Sequence, residues 1–142
     1  MKIAIGSDHR GLALKTALAA YLIHAGHAVT DMGTMTEESC DYPLFARRVA
    51  RSVDTGASSR GILICNSGIG MEMAANKLRG VRAANCTNMA MVKYSREHND
   101  ANVLVLGAQF IKPALAKRMV AVWLKTEFAA GRHQRRVKMF SY

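Results

Sequence analysis

Long apolar runs are missing from this sequence. No stretch approaches the roughly 18 consecutive apolar residues that a membrane-spanning helix needs. Met1 and Lys2 lead directly into the short apolar run at positions 3–5, which is too short for the core of a secretory signal. We therefore expect a cytoplasmic protein that does not bind a membrane.

Cysteines are few and widely spaced. The chain has only Cys40, Cys65 and Cys86, and no two of them form a C-x-x-C pair. An odd number of distant cysteines disfavours both a disulfide framework and a zinc site. We expect reduced thiols and no bound metal.

Aromatic residues make up only 6% of the chain, whereas its net charge is +10. A basic protein of this kind can bind nucleic acid, but single-stranded nucleic acid is held largely by stacking on aromatic side chains. Most of the excess charge follows position 111, where eight basic residues stand against Glu127 alone. We favour a small anionic partner over nucleic acid and keep a nucleic-acid-binding module as a distant alternative.

Apolar runs alternate with amphipathic segments about five times along the 142 residues. This alternation predicts a parallel sheet covered by helices on both faces. The expected fold is one α/β domain, residues 1–142: a three-layer α/β/α sandwich with a five-stranded, Rossmann-like parallel sheet and a C-terminal helix. The strands are predicted at 2–5, 27–30, 60–65, 81–85 and 102–107.

Ligands of such sheets bind beyond the carboxyl ends of the strands. This rule selects four stretches, at positions 6–10, 65–70, 86–87 and 107. Helices that begin there offer unpaired N–H groups to an anion.

The segment Cys65-Asn66-Ser67-Gly68-Ile69-Gly70 is the most informative of the four. Its two glycines allow backbone amides to approach an oxyanion, and Ser67 adds a hydroxyl. Cys65 ends a predicted strand and faces the start of the helix predicted at 71–78, a position that favours a thiolate base or nucleophile. The segment lacks the residues of a nucleotide phosphate loop or a dinucleotide fingerprint. A buried thiol without a chemical role is the alternative interpretation of Cys65.

The turn after the first strand contains an acid, an imidazole and a guanidinium in Asp8-His9-Arg10. Asp8 or Ser7 could simply cap the following helix while the other two side chains are solvated. The spacing favours a functional site and a helix cap equally.

Two polar segments lie nearer the C-terminus. The loop at 96–102 contains His98, which could transfer a proton, and Asn99, which could hold a hydroxylated substrate. Arg132 and Arg136 lie four residues apart, so on a helix they share one face and could grip one phosphate. Taken alone, each segment is better interpreted as a solvated surface.

Together, these motifs resemble those of the type B ribose-5-phosphate isomerase family, which has relatives acting on allose 6-phosphate and galactose 6-phosphate. They occur in the family's order over almost the whole chain, at positions 6–9, 41–43, 61–71, 74–77, 80–84, 96–106 and 131–134. The resemblance implies an aldose–ketose isomerase of the pentose phosphate pathway that works through an enediolate without metal or cofactor. It also implies a homodimer, or a dimer of dimers, with the active site at the subunit interface.

The resemblance also assigns a role to each candidate residue. Cys65 is the base that moves a proton between C2 and C1, and Ser67 stabilises the enediolate with backbone amides. Asp8 and His98 assist ring opening, and Tyr42 and Asn99 hold sugar hydroxyls. The groups that bind the phosphate are His9, Arg132 and Arg136, and the amide-bearing residues are Asn66, Gly68, Ile69 and Gly70.

The chain departs from the family at a few positions. Asn66 and Ser67 stand where glycine and threonine are usual, and Arg10 replaces a smaller or apolar residue. Another branch uses a glutamate at the position of Met71 as its base, but here Glu72 is one residue away and Cys65 is present. We therefore assign the chain to the cysteine branch, with ribose 5-phosphate as its expected substrate. A hexose 6-phosphate isomerase and an inactive sugar-phosphate sensor are the alternatives.

Overall fold

The computed structural model describes residues 1–140, and a five-stranded parallel sheet lies at its centre. The sheet order is β2-β1-β3-β5-β4, and every neighbouring pair is parallel. The strands are β1 (Lys2–Ser7), β2 (Ala28–Asp31), β3 (Arg60–Cys65), β4 (Ala83–Asn85) and β5 (Val103–Gly107). The predicted five-stranded parallel sheet is therefore confirmed.

Helices cover both faces of the sheet. After a short 3-10 turn at His9–Gly11, they are α1 (Leu12–His24), α2 (Tyr42–Asp54), α3 (Ile69–Ala75), α4 (Met89–Glu97), α5 (Pro113–Lys125) and α6 (Arg132–Lys138). Buried residues of α1, α4 and α5 form one core, and those of α2 and α3 form the other. This is the expected three-layer sandwich, and the long helix α5 and the short helix α6 lie at its C-terminal end. None of the helices within residues 1–140 is both long and apolar enough to cross a membrane.

The alternation of side chains along β3 connects the two cores. Ile62 and Ile64 point into the core of α1, α4 and α5, whereas Leu63 and Cys65 point towards α2 and α3. Successive side chains of a strand point to opposite faces, so a strand covered on both faces is apolar throughout. This alternation directs the Cys65 side chain towards the start of α3.

Two of the boundaries that differ from the sequence prediction do so because side chains replace backbone partners. Helix α3 ends at Ala75, three residues early, because the Asn76 side chain pairs with both the N–H and the C=O of Ala83 at 2.8 and 2.9 Å. Strand β4 begins only at Ala83, since the N–H of Arg82 donates to the side chain of Asn102.

Candidate active site

The ends of β1 and β3 place Asp8 and Cys65 beside each other. Ser7 pairs with Ile64 in the sheet, so the next residue of each strand follows at the same edge. Neighbouring strands lie about 4.8 Å apart. Both residues are 5% exposed, so a carboxylate and a thiol share a sheltered position at the carboxyl edge of the sheet.

The thiol of Cys65 is held by the turn that follows it. Its Sγ atom accepts the N–H of Gly68 at 3.1 Å. Gly68 has φ +84°, and a Cβ atom there would lie 2.4 Å from Oδ1 of Asn85. An N–H aimed at the sulfur suits a thiolate, because charged acceptors form the stronger hydrogen bonds.

The turn is also anchored from the neighbouring strands. Asn85, the last residue of β4, donates its side-chain N–H to the carbonyl of Ser67 at 3.2 Å. On the other side, a Cβ atom at Gly107 would lie 2.7 Å from that same carbonyl oxygen. The turn is therefore packed into one position before any ligand arrives.

Tyr42 closes one side of this turn. It is the first residue of α2, and a Cβ atom on Gly70 would approach its ring to 2.4 Å. The hydroxyl of Ser67 accepts only a long bond of 3.4 Å from the N–H of Ile69. Two hydroxyl groups and the amides at the start of α3 thus border the turn that follows Cys65.

Asp8 caps the 3-10 turn that follows β1, which is one of the two roles that the sequence analysis allowed for it. Its Oδ1 atom accepts the N–H groups of Arg10 and Gly11, both at 3.0 Å. Within residues 1–140, Oδ2 of Asp8 takes part in no hydrogen bond, so the cap leaves one oxygen for a ligand. The capping and functional interpretations are compatible.

His9 lies next to Cys40 in the loop between β2 and α2. Its Nδ1 atom accepts the N–H of Cys40 at 3.3 Å and lies 3.7 Å from that residue's Sγ. A ring nitrogen that accepts an N–H carries no proton, so any proton of a neutral ring is on Nε2. His9 also lines a cleft of about 390 Å³ together with Arg10 and Glu37.

Two residues that the sequence analysis missed support this edge. Lys15 is fully buried, and its Nζ atom donates to Asp31 at 2.6 Å and to the carbonyl of Thr34 at 2.7 Å. It thereby fixes the loop that carries Cys40. A lysine three residues before Leu18, on the apolar stripe of α1, is the signal that could have revealed it.

Gln109 is the second missed residue. Its side chain accepts the Asn66 side-chain N–H at 2.8 Å, and its own backbone N–H donates to the Asn66 carbonyl at 3.0 Å. The Asn66 side chain, which replaces the glycine usual in the resembling family, is therefore turned towards the loop after β5. The sequence signal for Gln109 was its position two residues after Gly107, one of the four strand ends at which a ligand was expected.

Cys86 does not add a second reactive thiol. It packs in the core with α4, and burial raises its pKa to about 11. A thiol with that pKa stays protonated near neutral pH. Of the two buried cysteines, Cys65 is therefore the candidate for chemistry.

The remaining predicted residues lie apart from Cys65. His98, Arg132 and Arg136 form a separate group, and Asn99, next to His98, is exposed and lines a cleft of about 270 Å³ with Glu72 and Ala84. The ring of His98 stacks between Tyr94 and His133, with centroid distances of 4.9 and 4.3 Å. His133 belongs to α6, which carries Arg132 and Arg136 one turn apart. Desolvation, followed by the charges of His98 and the two arginines, lowers the pKa of His133.

We call the residues around Cys65 the sheet-edge cluster, and this second group the C-terminal cluster. The sheet-edge cluster consists of Asp8, His9, Tyr42 and residues 65–70; the C-terminal cluster consists of His98, Asn99, Arg132 and Arg136. Helix α4 starts beyond the carboxyl end of β4 and runs back along the sheet for nine residues, roughly 13 Å. His98, which follows α4, is thus carried away from Cys65 of the same chain. Within residues 1–140, no hydrogen bond or ion pair joins the two clusters.

Fold and site together define a parallel α/β protein that carries a thiol beside a cradle of backbone amides at the carboxyl edge of its sheet. Residues 3–140 match the family model described as Ribose/Galactose Isomerase, and the chain belongs to that family.

Individual relatives agree with this assignment. The chain is 44% identical to ribose-5-phosphate isomerase B of Escherichia coli over 96% of its own length and 92% of the relative's. It is 39% identical to a D-erythrulose-4-phosphate isomerase of Pectobacterium atrosepticum, over 100% and 94% of the two chains. Ribose-5-phosphate isomerase B of Clostridium thermocellum superposes with a TM-score of 0.98 at 50% identity, covering 99% and 95% of the two chains.

Proposed function

We propose that the chain is an aldose–ketose isomerase that interconverts D-ribose 5-phosphate and D-ribulose 5-phosphate. This proposal rests on one observation: the sulfur of Cys65 accepts the N–H of Gly68 at the start of α3. Membership of the isomerase family supplies the reaction class.

In the proposed mechanism, Cys65 is the catalytic base. Its thiolate takes the proton from C2 of the open-chain aldose, and the C–H electron pair forms the C1=C2 double bond as the carbonyl oxygen becomes an oxyanion. The proton then returns from sulfur to C1, while the proton of the C2 hydroxyl moves to the C1 oxygen and leaves the ketone. Atoms and charge balance without a cofactor.

The developing oxyanion needs preorganised donors. Ser67 and the backbone amides of Asn66, Gly68, Ile69 and Gly70 are the donors we assign, because they border the thiol on a turn that is packed into position. Each donor of this kind contributes about 3–4 kcal/mol to the stability of a transition state.

Ring opening and recognition of the sugar use the other side chains. Asp8 has a free carboxylate oxygen, and we assign ring opening to it together with His98. Tyr42 and Asn99 hold sugar hydroxyls. The phosphate binds to His9 through its Nε2–H group and to Arg132 and Arg136, whose forked guanidinium groups suit phosphate oxygens.

The separation of the two clusters supports an active site shared between two chains. One chain supplies the sheet-edge cluster and its partner supplies the C-terminal cluster, as a homodimer or a dimer of dimers. Exposed apolar side chains lie within the sheet-edge cluster at Ile69 and close to it at Met73 and Phe110, where a partner would cover them. In a two-fold dimer, the same contact completes two active sites.

The basic C-terminus then has a small anionic target. We propose that this sugar phosphate, rather than nucleic acid or a membrane, is the ligand of the positive charge. We further propose that the 142 residues act as one domain in the cytoplasm, without a metal or cofactor.

A hexose 6-phosphate is the second candidate substrate, since the family name covers galactose as well as ribose. The decisive experiment measures coupled isomerase rates on ribose 5-phosphate, allose 6-phosphate and galactose 6-phosphate side by side. We expect the highest kcat/KM for ribose 5-phosphate. A higher value for either hexose phosphate would make that sugar the substrate, and no turnover of any of the three would overturn the proposed function.

A further inference from the structure

Arg96 is a buried cation that the mechanism above does not use. It is only 3% exposed, although it lies in the last turn of α4, two residues before His98. Buried charges are retained where they are paired and hydrogen-bonded, so the partners of this guanidinium indicate its role.

The first partners lie in the turn just after His98 and Asn99. Atom Nη1 of Arg96 donates to Oδ1 of Asp100 at 2.8 Å and to the carbonyl of Ala101 at 2.7 Å. Asp100 has φ +48°, in the left-handed region that aspartate tolerates better than most residues. Arg82 binds the other carboxylate oxygen at 2.9 Å and the Asp100 carbonyl at 2.8 Å. The turn that follows His98 and Asn99 is thus held in place by the Asp100 carboxylate, which binds the guanidinium groups of both Arg96 and Arg82.

The third partner lies in another part of the chain. Atom Nε of Arg96 donates to the carbonyl of Thr126 at 3.2 Å, at the end of α5. Three residues later, the N–H of Ala129 donates to the carbonyl of Glu97 at 3.0 Å. This connection leads into α6, where His133 stacks on His98 at 4.3 Å.

We propose that Arg96 is a positioning residue of the isomerase reaction, because one guanidinium holds the turn of His98 and Asn99 against the segment that leads to Arg132 and Arg136. It sets the distance between the group that opens the sugar ring and the groups that bind its phosphate. This inference rests on the proposed function. Arg96 is held by acceptors at Asp100, Ala101 and Thr126, so its effect on substrate passes through the position of His98 relative to the two arginines.

The kinetic test compares Arg96→Lys with Lys93→Met. Lysine keeps the charge beside Asp100, but its single nitrogen cannot reach acceptors in both segments. We expect Arg96→Lys to lower kcat/KM for ribose 5-phosphate by about tenfold to a hundredfold, as small misplacements of catalytic groups do. Lys93→Met removes only an exposed pair with Glu97 on the same helix and is expected to match the wild type. Wild-type kinetics in Arg96→Lys would overturn the proposal.

A double-mutant cycle separates positioning from simple loss of stability. If Arg96 acts through His98, the substitution Arg96→Lys loses most of its effect when His98→Asn is already present. We expect less than about a threefold further loss in that background. Losing the same factor in both backgrounds would mean that the two residues act independently, and the proposal would fail.

A measurement without substrate keeps the proposal testable if activity is absent. In the wild type, we expect the stacked rings of Tyr94 and His133 to shift the His98 ring protons upfield in the NMR spectrum, and we expect Lys93→Met to retain that shift. We expect Arg96→Lys to lose it. If Arg96→Lys does not fold, Asp100→Asn, which suits the same left-handed backbone, takes its place with the same expected loss. An unchanged shift overturns the inference, whereas an inactive wild type that shows the expected shifts overturns the proposed function alone.

Discussion

The sheet-edge cluster and the C-terminal cluster are built in opposite ways. Cys65 and Asp8 are almost fully buried and held by short backbone contacts at the ends of adjacent strands. Arg132 and Arg136 are exposed on the seven-residue helix α6, whose residues include none that is buried. The sheet-edge cluster is therefore preorganised, whereas the C-terminal cluster presents exposed positive charge to an anionic ligand that arrives from solvent.

This contrast matches the two tasks of a sugar-phosphate isomerase. Proton abstraction next to a carbonyl needs donors that do not reorganise during the reaction, and a buried turn supplies them. Phosphate binding needs long-range attraction and forked donors, which an exposed basic helix supplies. A substitution in one cluster should therefore impair mainly one of these two tasks.

The largest expected effect comes from removing the thiol. Cys65→Ala should lower kcat by about 10²–10⁴-fold, as loss of a general base does, while sugar-phosphate affinity stays within about tenfold. Stopped or coupled assays give the first value, and calorimetric titration gives the second. Wild-type turnover in this variant would remove Cys65 from the mechanism.

Removing one arginine of the second cluster should affect binding instead. Arg136→Ala is expected to raise KM for ribose 5-phosphate roughly ten- to a hundredfold, since hydrogen bonds to charged groups contribute about 1.5–3 kcal/mol. The kcat value should change little. Arg118→Ala, on an exposed position of α5, removes the same charge and is the control. Equal KM values in the two variants would mean that α6 does not hold the phosphate.

Two glycines, Gly68 and Gly56, allow a test of whether catalysis depends on the shape of the turn after Cys65. Gly68 and Gly56 both have positive φ, but only at Gly68 would an added Cβ atom meet a neighbour within 4 Å, namely the Asn85 side chain. The left-handed conformation alone costs alanine about 1–2 kcal/mol of stability at either position. We expect Gly68→Ala also to lower kcat about tenfold or more, because its N–H no longer meets Cys65. Equal kcat values in the two variants would show that this contact is dispensable.

The smallest expected effect is a titration in the C-terminal cluster. The pKa of His133 is lowered, mainly by desolvation and further by His98, so its NMR midpoint should fall below 6.5 and rise in His98→Asn. Between the lowered pKa and 6.5, the folded chain binds fewer protons than the unfolded chain. Stability from this residue is therefore lost as the pH falls through that window. A midpoint at or above 6.5 would contradict the crowding of positive charge in this cluster.

The difference between the clusters also explains what the sequence could predict. Strand ends, glycines and the Arg132–Arg136 spacing are local patterns, and the structure places them where they were expected: the strand ends at the sheet edge and the two arginines on one helix. Lys15 and Gln109 were missed because their importance lies in partners 16 to 43 positions away along the chain. Likewise, the polar loop at 96–102 gave no sign that Arg96 is buried, because its acceptors include the distant carbonyl of Thr126.

A subunit-mixing experiment tests the shared site most directly. Cys65→Ala lacks the base but keeps the C-terminal cluster, whereas the double variant Arg132→Ala/Arg136→Ala lacks the phosphate site but keeps the base. If the site is shared, an equal mixture that has exchanged subunits should recover roughly a quarter of wild-type activity, because half of the dimers then contain one intact site. A mixture no more active than the sum of its two parents would contradict the shared site.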